Sequence, residues 1–356
     1  MSATRKLREI GQSVWLDNIT RDLLDDGSIS RCIGDLGVSG LTSNPSIFDK
    51  AVSGSSAYDE QVRRLAGEGR TVEEIFFELA LDDLIRAADL FAGIHDQTDG
   101  EDGWVSLEVS PLLADDTEAT VASAIELHAR ANRSNLYIKI PGTPAGLPAI
   151  EEAVAAGVPV NVTLLFSTEQ YLAAAEAYLA GLERRRDAGQ HLKVSSVASL
   201  FISRWDVAIA SQVPGELHNT LGLAIGQESY AAYRELIASE RVERLVAQGA
   251  PIQRLLFAST GVKDPSAPDT LYVTGLAAPD TVNTMPDATL AAFADHGEID
   301  GVLEADALAA AASLARITDA GVDLPALAAR LQEEGKVAFV KSWQDLLASI
   351  TGKATP

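Results

Sequence analysis

Short β-prone segments recur eight times along this chain, and helical sequence lies between most of them. They are Val14–Asn18, Gly40–Asn44, Trp104–Ser110, Leu136–Ile140, Val158–Leu165, Val194–Ser199, Leu255–Ser259 and Val282–Met285. This alternation is the mark of βα units, in which parallel strands are covered by crossover helices. Such units either close into a (β/α)8 barrel or open into a doubly wound sheet. The open sheet usually carries a glycine-rich phosphate loop after its first strand, and none follows Asn18. The expectation is a TIM-type (β/α)8 barrel with additional helices. No low-complexity tract or long linker interrupts the chain, so residues 1–356 read as one domain.

Several helix ends are marked. Thr71 with Glu74, and Ser167 with Gln170, fit capping boxes that satisfy the free amides of a first turn. The segment Asn219–Gln248 reads as one long helix ending at Gly249.

Composition narrows the function classes. Apolar residues make up 47% of the chain, yet no run approaches the roughly eighteen needed for a membrane span. The N-terminal residues lack the apolar core of a signal peptide, so a cytoplasmic protein is expected. The one cysteine, Cys32, excludes an intramolecular disulfide. The five histidines are scattered, which argues against a metal site, and no cofactor is called for. A formal charge of −23 opposes binding to nucleic acid or anionic membranes. An anionic ligand must then be held by a few local cations and amides.

The period-two pattern within the strands carries the chemistry. Leu136, Ile138 and Ile140 occupy one face of their strand, and Tyr137 and Lys139 the other. Helices cover the apolar face, so Lys139 points into the barrel. The same alternation turns Asn161 and Thr163 inward between Val160, Val162 and Leu164. It places Trp15 with Asp17, Thr42 with Asn44, and Ser106 with Glu108; Trp15 is read as barrel core. One interior thus collects Asp17, Asn44, Glu108, Lys139, Asn161 and Thr163. Barrel interiors are normally filled by branched apolar side chains, so this many polar groups near strand C-terminal ends points to a site. A buried lysine among carboxylates and amides suits carbonyl chemistry through an imine, since burial favours the nucleophilic free amine. Carboxylates can move the protons and carboxamides can hold hydroxyls. These residues alone leave aldol cleavage and group transfer equally open.

Five runs resemble transaldolase signatures, in that family's order. They are Val14-Trp15-Leu16-Asp17-Asn18, Gly40-Leu41-Thr42-Ser43-Asn44-Pro45-Ser46, Ile138-Lys139-Ile140-Pro141-Gly142-Thr143, Asn161-Val162-Thr163-Leu164-Leu165-Phe166-Ser167 and Ala258-Ser259-Thr260-Gly261-Val262-Lys263. The resemblance covers nearly the whole chain and is greatest to the longer bacterial branch. It implies that Lys139 forms a Schiff base with a ketose phosphate, fructose 6-phosphate or sedoheptulose 7-phosphate, in the non-oxidative pentose phosphate pathway. It further implies that Asp17 is the acid/base of carbon–carbon cleavage and that Glu108 and Thr163 hold a proton-shuttling water. Asn44 and Asn161 would bind the dihydroxyacetone moiety, and Ser199, Arg204 and Ser259 would take the phosphate. Compact relatives place an arginine two residues after that last serine, where this chain has Gly261; Lys263 is the nearest cation and is taken as a phosphate ligand.

Sugar phosphates are then the expected partners, with no oligomeric state implied. The rival readings are a Schiff-base aldolase releasing free dihydroxyacetone, a non-catalytic sugar-phosphate-binding barrel, and an interaction scaffold. The Glu108 pattern and the chain's length favour transfer over simple cleavage, and the presence of both Lys139 and Asp17 argues against the sensor. A mere scaffold leaves the clustered polar interior unexplained.

Overall fold

Each of the eight β-prone segments contains a strand in the computed structural model, which describes residues 2–299 and 301–354, though only Gly40 and Leu41 of Gly40–Asn44 pair and Asn44 caps the next helix. The strands are β1 (Gln12–Leu16), β2 (Gly40–Leu41), β3 (Val105–Glu108), β4 (Leu136–Pro141), β5 (Val160–Leu165), β6 (Ser196–Phe201), β7 (Arg254–Ala258) and β8 (Thr281–Met285). Every pair is parallel, in the order β2-β1-β8-β7-β6-β5-β4-β3. The seam between β2 and β3 is closed by backbone bonds: Leu41 N donates to Trp104 O at 2.9 Å and Gly103 N to Ser39 O at 2.9 Å. The fold is a (β/α)8 barrel, with its core between the strands and the surrounding helices.

The lower interior is an aromatic plug. Trp15 and Tyr137 point inward and are fully buried, with ring centroids 6.3 Å apart, and Trp104 stacks on Tyr137 at 3.9 Å. Gly40 makes this possible, because a Cβ there would lie 2.7 Å from both the Trp15 ring and the Trp104 carbonyl oxygen. Trp15 is therefore core, and its indole donates to Asp102 at 2.7 Å. Asp102 also accepts from Ser13 and from the Gly103 amide, and Arg254 donates to Ser13 at 2.7 Å. Charge is thus tolerated at the base because each carboxylate oxygen has a donor.

Two local expectations change in the fold. Asn219–Gln248 is not one helix but two, Leu221–Ile237 and Glu240–Val246, because Ser239 leaves the helix and caps the second by accepting from Val242 N. The strict alternation of β5 ends at Thr163: Leu164 adopts a φ of 59° and the β5–β6 register slips between Val162 and Leu165. This is a bulge at a barrel rim. The Thr71–Glu74 capping box is complete. At Ser167 only half of the box forms as expected, since Gln170 accepts from Phe166 N instead of from Ser167 N.

The additional helices shape the upper, C-terminal rim. After the barrel comes a 31-residue helix, Leu324–Ala354, which returns across it. Gln332 donates to Gly142 O and Leu164 O, both at 3.0 Å, and so ties the tips of β4 and β5. Trp343 anchors the same helix in a cluster with Phe76 and Phe77, at 4.8 and 5.7 Å. Among the described residues, no helix is long and apolar enough to cross a membrane.

The base network yields a test of stability alone. Asp102→Ala would strand the Trp15, Ser13 and Gly103 donors in a buried setting, a loss on the order of 3 kcal/mol. Urea denaturation should show that loss, while chemistry at the opposite rim proceeds unchanged in the folded fraction. An unaltered denaturation midpoint would show that the base does not depend on this carboxylate.

Candidate active site

The strand register sets the polar residues in a row. Glu108 pairs with Lys139 across β3–β4, and Lys139 with Asn161 across β4–β5, so three adjacent strands present a carboxylate, an amine and a carboxamide at one level. All three are buried, with Lys139 only 5% exposed. The Lys139 amine donates to Ser43 O at 3.1 Å and lies 3.5 Å from Glu108 Oε2. Asn161 is held at both ends: its amide donates to Ser106 Oγ at 3.1 Å, and Ser199 Oγ donates to its oxygen at 2.7 Å. These bonds fix the carboxamide orientation beside the amine.

Above this row opens a cavity of about 140 Å³, lined among others by Asp17, Thr42, Asn44, Lys139, Thr163 and Ser199. Asp17 lies just past β1, its backbone amide donating to Met285 O at 2.8 Å. Thr42 donates to its carboxylate at 2.7 Å and also contacts Thr284 at 2.8 Å. Asn44 lines the cavity while its Oδ1 caps the helix Pro45–Gly54, accepting from Ile47 N at 3.1 Å. Glu108 Oε2 and Thr163 Oγ1 are buried without a hydrogen-bond partner.

Burial governs the two carboxyls. Desolvation pushes Glu108 up to about 7 even though the Lys139 ammonium pulls it down. Asp17 is likewise raised, by desolvation first, with Lys139 and the Thr42 hydroxyl opposing. A carboxyl held near neutrality can both give and take a proton under ordinary conditions.

The outer end of the cavity is cationic. Arg204, from the helix Ser203–Ile209 after β6, has its guanidinium carbon 5.0 Å from the Phe201 ring centroid. Burial lowers it from the usual arginine range. Among the described residues no protein acceptor hydrogen-bonds this guanidinium, so its donors remain for a ligand. Ser259 follows β7 directly with a φ of 56°, and its hydroxyl contacts Ser203 Oγ at 3.0 Å. Lys263 lies on the cavity wall, its amine 3.7 Å from where a Cβ on Gly261 would stand. Three cations, Lys139, Arg204 and Lys263, line a cavity whose lining includes a single carboxyl, Asp17, in a protein of net charge −23.

The fold therefore gathers all ten singled-out residues, but not in one layer. Ser199 sits low, bonded to Asn161 beside Lys139, rather than at the cationic end with Arg204 and Ser259. Thr42, Thr284, Ser106 and Phe339 also belong to the site. The inward positions of Thr42 and Ser106 were visible in the strand alternation. Phe339 left no such signal, because it reaches the cavity from the far C-terminal helix.

Comparison with known proteins agrees in extent with these features. A family profile described as Transaldolase/Fructose-6-phosphate aldolase matches residues 14–350. A protein named Transaldolase from Thermobifida fusca is 48% identical over 355 residues, covering 97% of this chain and 96% of its own length. Its namesake from Mycolicibacterium smegmatis is 46% identical over 356 residues, covering 98% and 96%. One from Mycobacterium tuberculosis is 46% identical over 351 residues, covering 96% and 94%.

The elevated Glu108 can be measured directly. Carboxyl ¹³C shifts should place its midpoint at about 7 rather than at the ordinary 4.5. Lys139→Met should move the midpoint higher still, because the nearby cation is what holds it down. A midpoint in the ordinary range would mean that the carboxylate is solvated and not enclosed as described.

Proposed function

The chain belongs to the transaldolase/fructose-6-phosphate aldolase family, and from that footing we propose that it is a transaldolase working through a Schiff base on Lys139. The observation that carries this reading is one cavity with a buried amine beside a carboxyl raised to about 7 at its floor and, at its outer end, a guanidinium that no acceptor among the described residues hydrogen-bonds. A ketose phosphate spans that arrangement with its carbonyl down and its phosphate outward.

In this reading the Lys139 amine attacks the ketose C2 carbonyl, and Glu108 takes and returns protons as water leaves and the iminium forms. Glu108 Oε2 and Thr163 Oγ1, neither with a hydrogen-bond partner among the described residues, favour a water held between them for that transfer. Asp17 then removes the proton from the C4 hydroxyl. The C3–C4 electron pair passes into the iminium, which becomes an enamine, and the aldose phosphate departs. An acceptor aldose phosphate, glyceraldehyde 3-phosphate or erythrose 4-phosphate, is attacked by the enamine while Asp17 returns its proton. Hydrolysis frees the new ketose and the lysine. No cofactor enters these steps.

Asn44 and Asn161 are assigned to the dihydroxyacetone hydroxyls, and Ser199 joins them because its hydroxyl is tied to Asn161. Arg204, Ser259 and Lys263 take the phosphate, with charge-assisted bonds compensating an anion that the acidic surface repels. Residues 1–356 act as one domain, in the cytoplasm, on small sugar phosphates and not on nucleic acid or membranes. The aldolase alternative is disfavoured by the three near-full-length relatives named above.

Turnover of fructose 6-phosphate should require erythrose 4-phosphate; equal turnover without the acceptor would mean free dihydroxyacetone is released and transfer is wrong. Borohydride added with fructose 6-phosphate should trap an adduct on Lys139 alone, and peptide mapping to Lys193 or Lys263 would remove Lys139 from the mechanism.

The two carboxyls should fail differently. Asp17→Asn should form the imine yet cleave it ~10²–10⁴-fold more slowly, accumulating a six-carbon adduct. Glu108→Gln should yield little adduct at short times. A three-carbon adduct forming at the unmodified rate in Asp17→Asn would exclude Asp17 from cleavage.

A further inference from the structure

Glycine is the poorest helix former after proline, yet Gly335 stands in the body of the 31-residue helix Leu324–Ala354. It is buried, and a Cβ placed on it would lie 3.2 Å from Arg204 Nη1 and 2.9 Å from Leu164 Cδ2. The Arg204 guanidinium thus lies in a slot, with the Phe201 ring as one wall and the Gly335 backbone as another. No protein acceptor among the described residues hydrogen-bonds the cation; Glu334, the neighbour of Gly335, acts on it only through its charge, so the slot's width and register do most to orient the guanidinium. The helix is held in that register by its own neighbours. Gln332, one turn earlier, bonds Gly142 O and Leu164 O, Lys336 pairs with Asp115 at 3.0 Å, and Phe339, one turn later, lines the cavity.

We propose that Gly335 is a specificity-determining position: by having no side chain it lets Arg204 lie against the C-terminal helix with its donors toward the cavity, and so sets the preference for phosphorylated donors. The inference rests on Arg204 being the phosphate ligand. Gly335 itself touches no substrate and acts by positioning Arg204. A methyl group there leaves Lys139, Glu108 and Asp17 untouched, so the chemistry should continue while phosphate binding weakens.

The test is Gly335→Ala, assayed with fructose 6-phosphate and with unphosphorylated fructose beside Arg204→Ala and the double variant. The expected result is a KM for fructose 6-phosphate raised ~10-fold, at the scale of one weakened charge-assisted bond. kcat and the kcat/KM for fructose should stay within about twofold, and the latter also reports the folded fraction. In the Arg204→Ala background, Gly335→Ala should add nothing, since the two residues act through one interaction. The proposal is overturned if Gly335→Ala impairs both donors equally, or if it leaves the fructose 6-phosphate KM unchanged while Arg204→Ala raises it; the second result leaves the phosphate reading standing. If Arg204→Ala fails to separate the donors, the phosphate reading falls and takes this inference with it.

Discussion

A (β/α)8 barrel has no hollow: its interior must be filled with side chains from the base upward before the upper rim can carry charge. In this chain Trp15, Tyr137 and Trp104 fill the base, and Gly40 yields its Cβ so that they fit. Lys139 is two residues beyond Tyr137 on the same inward face of β4, so its amine rises one layer above the plug. The depth of that amine, its distance from Glu108 and its shielding from bulk water all derive from this stacking.

Enclosure then gives each polar group a distinct character. Glu108, buried beside the lysine, is lifted to about 7, whereas the Asp102 carboxylate at the base is surrounded by donors from Trp15, Ser13 and Gly103. Asn161 has both ends of its side chain engaged and cannot reorient, while no acceptor among the described residues takes the Arg204 donors. Within the site, the satisfied carboxamide holds its place, while Glu108 Oε2 and Thr163 Oγ1, buried without a hydrogen-bond partner among the described residues, are left for ligand or water.

The C-terminal helix links these layers to the surface. Its exposed or half-exposed ion pairs, such as Lys336 with Asp115, contribute little individually. Its apolar face, with Leu331, Phe339, Trp343, Leu346 and Ile350 buried, provides most of the attachment. Gln332 adds direction, since two carbonyls freed where β4 and β5 diverge both receive its amide hydrogens.

Features that depend on short-range periodicity were legible in the chain before it folded. Eight strands, the inward facing of Lys139, Asn161, Thr163 and Glu108, and the cap at Thr71 follow from a period of two or from the chemistry of one helical turn, and each is local. Family resemblance supplied the link from that lining to a reaction. The remaining features depend on long-range packing. The break at Ser239 and the bulge at Leu164 arise where packing and capping override a continuous pattern. Ser199 sits beside Asn161, and not at the outer end with Arg204, because the β5–β6 pairing sets their levels. Phe339 and Gly335 reach the site only because a helix distant in sequence folds back over the rim, and contacts across such a separation leave no period in the chain to read.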